Sequence, residues 1–222
     1  MTTKVFFTIL GFALILTACG TSKKSVGTSG NPAPPTRDEL VTEAVRKAMK
    51  DARDAAKVYE KDGYKTFIGA LPMARQVEES YLRNVQKDAK GQPLYLAGDA
   101  DVTGGSSGVA QAQALHQAKV NLASQVNVHL AGLVKQSLGE DKSASLGKFL
   151  QATQELLVGD MERVDKVIEI YRQLPDNRYQ VLTRVMYNTD LAMQAAEKRL
   201  LQSLENEAED LHKEVSEILN RQ

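Results

Sequence analysis

The chain has one cysteine, Cys19, and its neighbours make it a candidate for acylation rather than for redox or metal chemistry. It follows Leu16-Thr17-Ala18: an apolar residue at −3, small residues at −2 and −1, and the thiol at +1. Small side chains let a peptide bond enter a signal peptidase, and the thiol accepts a diacylglycerol. Val5–Ala18 is a nearly unbroken apolar run of 14 residues behind Lys4, the charged-then-apolar layout of a secretory leader. That run is short of the ~20 residues a membrane-spanning helix needs. Cleavage is expected between Ala18 and Cys19, with diacylglycerol and palmitate on Cys19 as the membrane anchor. Gly20 at +2 is not the Asp that retains enteric-type lipoproteins in the inner membrane, so the expected location is the outer membrane, facing the periplasm or the cell surface.

Other residues capable of chemistry do not assemble in sequence. Gly104-Gly105-Ser106-Ser107-Gly108 stands before a helix, where bare amides can bind anions. It lacks the Gly-Lys-Ser/Thr of a phosphate loop and is one residue short of a nucleophile elbow, so it reads as a strand-to-helix connection. Asp99 and Asp101 share one strand face and could approach a hard cation, but solvated acids near a strand end are the plainer reading. His116 and His129 lie 13 residues apart on one helix and so on different faces; His129 is expected to be half-buried. Tyr95, Tyr171, Tyr179 and Tyr187 are read as sheet-packing residues. No catalytic residue, no cofactor-binding residue and no metal ligand is assigned, and no cofactor is expected.

The elements that would position these residues follow from periodicity. Residues 1–18 form the leader, and 19–35 a Ser/Gly/Pro tether ending in Asn31-Pro32-Ala33-Pro34-Pro35 that cannot bury apolar surface. Residues 36–90 read as helical. A capping box Thr36-Arg37-Asp38-Glu39 opens a helix that Gly63 ends, and a second helix runs from Pro72 to about Lys87. Residues 91–190 read as an α+β core. A strand carries Leu94, Leu96, Gly98, Ala100 and Val102 on one face. A long helix of about 109–137 follows, striped by Ala110, Ala114, Ala118, Leu122, Val126, Leu130 and Val134. A helix of about 145–158 comes next, then a hairpin of 164–172 and 179–187 around Leu174-Pro175-Asp176-Asn177-Arg178. Residues 191–222 read as one amphipathic helix, capped at Thr189-Asp190, with a seam at Leu201, Leu204, Ala208, Leu211, Val215 and Ile218. That seam suits the body, the first helix or a copy of itself.

The order strand, long helix, helix, strand, strand resembles the bacterial twenty-kilodalton membrane-associated lipoprotein family, of the outer-membrane antigen and flagellum-associated type. Three passages carry the resemblance: the glycine-bearing strand and helix with the core Ala118-Lys119-Val120-Asn121-Leu122-Ala123, the stretch from Leu156 to Arg172, and the tyrosine-bearing strand from Asn177 to Tyr187. It implies a dodecin-like three-stranded antiparallel sheet wrapping one long helix, in a membrane-tethered and self-assembling protein without enzymatic activity. The chain has no Trp on which a flavin could stack.

From Cys19 onward there are 27 Lys and Arg against 28 Asp and Glu, a balance that excludes a nucleic-acid footprint. Without a second cysteine no internal disulfide forms, and packing must hold the fold. The expected function is a lipid-anchored envelope protein with a structural or interaction role, partnered by the membrane through its lipid and by a second copy or another envelope protein. A small-ligand or lipid carrier is the alternative, and an envelope hydrolase a third.

Overall fold

The computed structural model describes residues 37–135, 140–161 and 164–220. Cys19, the tether and the Thr36 cap lie outside the described residues. Helix α1 (Arg37–Lys61) ends as its sequence demands. Gly63 takes φ +84°, Gly63 N–H donates to the Glu60 carbonyl and Tyr64 N–H to that of Tyr59, the reciprocal closure that a left-handed residue after a helix provides. Two residues, β1 (Lys65–Thr66), precede α2 (Met73–Val85), which starts on Pro72. Strand β2 (Tyr95–Gly104) leads into α3 (Ser107–Lys135) and α4 (Glu140–Asp160). The hairpin β3 (Asp165–Gln173) and β4 (Tyr179–Asn188) turns through Asn177 at φ 63°, a conformation Asn tolerates. Helices α5 (Thr189–Glu207) and α6 (Glu209–Leu219) complete the described chain.

The α+β class holds, with a correction to the sheet. It has four antiparallel strands in the order β1-β3-β4-β2 rather than three. β1 aligns Lys65 with Tyr171 and Thr66 with Ile170; a two-residue strand is too short to display a period of two. The sheet also does more than wrap one helix. Even-numbered β2 residues and odd-numbered β4 residues pack on α3, with Gly98 opposite Val185. The other face meets α1 and α2 through Ala52, Ala56, Val77, Ile168, Ile170 and Met186.

The C-terminal segment differs too. The chain breaks at Ala208 (φ −154°, ψ 71°) between α5 and α6. Nothing in the local sequence forbids a continuous helix. The break folds the buried Leu211, Val215 and Ile218 back into the same cluster as Leu130, Val134, Leu150, Leu200 and Leu204, and burial of three large side chains overrides propensity. The seam is therefore filled by the body of this chain. The cap of α5 is Asn188, whose side chain accepts from Leu191 N–H at 3.1 Å. The Thr189 hydroxyl instead donates to the Pro93 carbonyl at 2.8 Å.

Helix α3 lies unusually close to β2. A Cβ placed at Gly98 would overlap the Ala118 carbonyl oxygen and stand 2.6 Å from Leu122 N. Both obstacles are backbone, so neither can rotate away. Gly98→Ala is expected to destabilise by about 3 kcal/mol or more through overpacking, lowering the melting temperature by roughly 6–12 °C at this chain length. Gly132→Ala, on the open side of α3 where a Cβ meets nothing within 4 Å, is expected to hold or raise it. Thermal unfolding of the two variants checks the contrast, and equal effects would remove the close-approach argument.

Candidate functional site

The α1/α2-facing side of the sheet carries a polar cluster with a cavity beside it. Register places it: Asp99 stands opposite Arg184, and Asp101 is two pairs further along, opposite Leu182. Cross-strand neighbours of opposite charge attract. Arg184 grips Asp99 with two N–H groups, Nε to Oδ1 and Nη2 to Oδ2, the latter at 2.9 Å, while Nη1 donates to Ser80 Oγ at 3.0 Å. Ser80 projects from α2 and is fully buried. One row along, Gln180 donates to both Asp101 oxygens at 2.8 and 2.7 Å and accepts from Arg172 Nε at 2.8 Å. Arg172 in turn lies over the Tyr64 ring at 4.8 Å and reaches the Asp62 carbonyl.

A cavity of about 200 Å³ opens beside these groups, lined by Tyr59, Asp99, Asp101, Ile168, Leu182 and Arg184. The hydrogen bond to Asp99 raises the Arg184 guanidinium above its ordinary value, against burial, which lowers it. Burial raises the Tyr59 phenol, and burial raises Tyr64 with the Asp101 charge adding to it. Both tyrosines are therefore held neutral. With its fork engaged by Asp99 and Ser80, Arg184 acts as a brace between β2, β4 and α2.

The residues singled out in sequence are dispersed. Asp99 and Asp101 do share a face, but as acceptors for Arg184 and Gln180. The glycine-rich connection works as a turn and cap: Ser106 Oγ accepts from Val109 N–H at 3.3 Å, and a Cβ on Gly104 would meet Ala110 at 3.0 Å. His116 lines a shallow groove with Val102 and Gln113. His129 is exposed rather than half-buried, because the apolar stripe passes through Val126 and Leu130 and leaves position 129 outside. Tyr171 packs between Phe67 (4.7 Å) and Tyr179 (6.3 Å), and Tyr95 lies under Arg83. Among the described residues no group of three or more His, Cys, Asp or Glu is placed to hold a metal ion, and no helix is long and apolar enough to cross a membrane.

Arg184, Gln180 and Ser80 were not flagged by their local sequence. A cue was present in the alternation: Gln180, Leu182, Arg184 and Met186 share one face of β4, and two polar residues there need partners. A second feature is the turn after β1, where Gly69 takes φ +81° and Ala70 N–H donates to the Phe67 carbonyl. The turn stands on the Phe67–Tyr171 stack and holds Ile68 fully in solvent, with Leu71 more than half exposed. Comparison with family models, with curated proteins and with solved structures finds no match.

Removing the Arg184 fork strands Asp99 and Ser80 together. Arg184→Met is expected to lower stability by about 1–3 kcal/mol, moderated by the exposure of Asp99, and adding Asp99→Asn is expected to cost little more. Denaturant unfolding of the cycle measures this; additive losses would mean that the two residues are not coupled.

The tyrosines set an alkaline limit. A folded-state pKa above the unfolded value means that the associated stability is intact below about pH 10 and declines as pH rises through the folded value. Absorbance titration at 295 nm is expected to show a late fraction that Tyr59→Phe and Tyr64→Phe remove. A single transition for all seven tyrosines would contradict it.

Proposed function

We propose that this chain is a lipid-anchored protein of the bacterial cell envelope, held in the outer membrane and facing the periplasm, with a structural or interaction role and no enzymatic activity. The observation that carries the proposal is Leu16-Thr17-Ala18-Cys19 at the end of an apolar leader, followed by a Pro-rich tether that leads into α1. The resemblance to the twenty-kilodalton lipoproteins points the same way. A non-enzymatic role is supported by the polar cluster on the sheet, whose side chains line the cavity already engaged with protein partners, Arg184 with Asp99 and Ser80, and Asp101 with Gln180. A contact role is supported by the turn at Ile68 and Leu71, which presents aliphatic side chains on a fixed base.

Metabolic labelling with an alkyne fatty acid is expected to tag the wild-type chain and not Cys19→Ser. The variant is expected to leave the membrane fraction with an unchanged melting temperature, since every buried core residue identified lies within the compact unit Thr36–Gln222. An unlabelled wild type, or a Cys19→Ser chain that stays membrane-bound, would overturn the anchor. Light scattering of the chain from Gly20, together with capture from detergent-solubilised envelopes, tests the interaction role; a strict monomer that captures no envelope protein would count against it.

A further inference from the structure

A groove of about 640 Å³ runs between the first three turns of α1 and the segment joining α2 to β2, far larger than the cavity on the sheet and of the size that holds a small molecule. Its walls are aliphatic: Leu40, Val41, Ala44 and Val45 from α1, and Val85 and Leu94 opposite. Leu40 and Val41 are 52% and 56% exposed, so α1 shows water an apolar face that the fold leaves uncovered. The facing segment is a tightly tied loop. Asp88 N–H donates to the Gln92 carbonyl, Gly91 N–H returns to the Asp88 carbonyl, Leu94 N–H reaches the Gln86 carbonyl, and Gln92 N–H donates to Asp88 Oδ1 at 2.7 Å. Gly91 supplies the left-handed turn at φ +82°.

This loop sorts the charges on the groove. Three ionisable residues line it: Lys87, Asp88 and Lys90. The Asp88 carboxylate is turned into the loop as an acceptor, whereas the Lys87 and Lys90 side chains make no hydrogen bond or ion pair among the described residues. The groove therefore combines an aliphatic trough with two lysines that form no ion pair among the described residues and outnumber the one carboxylate beside them, a net positive lining on a braced loop. Apolar walls take a hydrocarbon chain, and two ammonium groups on the facing loop take an anionic head. We infer that the groove binds a single-chain amphiphile with an anionic head group, the carboxylate of a fatty acid or the phosphate of a lysophospholipid. Nothing in this inference depends on acylation of Cys19.

The test uses the unlipidated chain from Gly20, which retains the compact unit Thr36–Gln222 with all its hydrophobic clusters. Fluorescent cis-parinaric acid is expected to bind saturably at one site and to be displaced by palmitate and by lysophosphatidylglycerol. Their relative potency tells a carboxylate preference from a phosphate one. Neutral monopalmitoylglycerol should compete about tenfold less well. Lys87→Ala combined with Lys90→Ala should weaken palmitate by about tenfold and erase its advantage over the neutral lipid. Leu40→Asp and Val41→Asp should reduce binding of every ligand by at least about tenfold. Both positions are half in solvent, so these variants should fold, and Val128→Asp on the exposed side of α3 should bind as wild type. Absence of saturable binding, equal competition by the neutral lipid, or binding that survives Leu40→Asp and Val41→Asp would each overturn the inference. Failure of the membrane-anchor proposal would instead appear as unlabelled Cys19 and would leave these measurements unchanged.

Discussion

The close seating of α3 on β2 is the constraint from which the rest of the architecture follows. Where the helix crosses the sheet it carries Ala110, Ala114 and Ala118, and the strand answers with Gly98 and Ala100, so backbone meets backbone with almost nothing between. Contacts at that distance are numerous and close-packed, which suits a chain with no Trp and no disulfide to reinforce its core. A helix of 29 residues is about 43 Å long, against about 34 Å for a ten-residue strand. It must therefore overrun the sheet. From Leu122 onward its stripe changes to large side chains, and these are the ones that α4, α5 and α6 cover. One helix thus serves two kinds of packing, and the change in side-chain size along it marks where one gives way to the other.

With α3 on one face, the opposite face is left for α1 and α2, and the sheet's edges must be closed as well. Unpaired edge groups invite association with other chains. On the β3 side the two residues of β1 cover only Ile170 and Tyr171; beyond them Gln76 of α2 accepts from Glu169 N–H at 2.7 Å and donates to the Leu71 carbonyl at 2.6 Å. A buried glutamine here continues the strand by other means. On the β2 side Asn121 of α3 donates to the Asp99 carbonyl at 2.6 Å. The braces at Arg184 and Arg172 then tie the edge strand inward to β4 and β3.

How much of this was legible in sequence depended on the range of the interaction responsible. Helix ends and turns set by local chemistry could be read directly: Gly63 closing α1, the glycine-rich connection into α3, and the turn around Asn177 in the hairpin. Alternation in β2 and β4 identified which residues share a face, and the stripe on α3 identified its buried side. What escaped was decided by partners distant along the chain. β1 is too short to have a pattern and exists only because β3 offers it an edge. The break at Ala208 answers to the core beneath α6, not to residues 205–210. Asp99 and Asp101 were visible as a pair, but their partners Arg184 and Gln180 were knowable only once the β2–β4 register was set. His129 was misjudged because a residue beside an apolar stripe can fall on either flank of it.

Register also separates the two places where charge meets a cavity. On the sheet, antiparallel pairing sets Asp99 opposite Arg184, so that their fields largely cancel at short range beside the cavity, and Asp101 is held there by the amide of Gln180. At the groove between α1 and the α2–β2 loop, the single carboxylate accepts from Gln92 N–H within the loop, and the two lysines beside it leave the lining net positive. The same tight turn that shortens the connection to β2 thereby sets both cations against an aliphatic wall. A loop whose only task was to reverse the chain would need Asp88 and Gly91; nothing in its hydrogen bonding requires Lys87 or Lys90, and nothing in the core requires Leu40 or Val41 to stand uncovered across from them. Residues that a fold does not need for itself, gathered around one groove with complementary chemistry, are where binding is most economically sought.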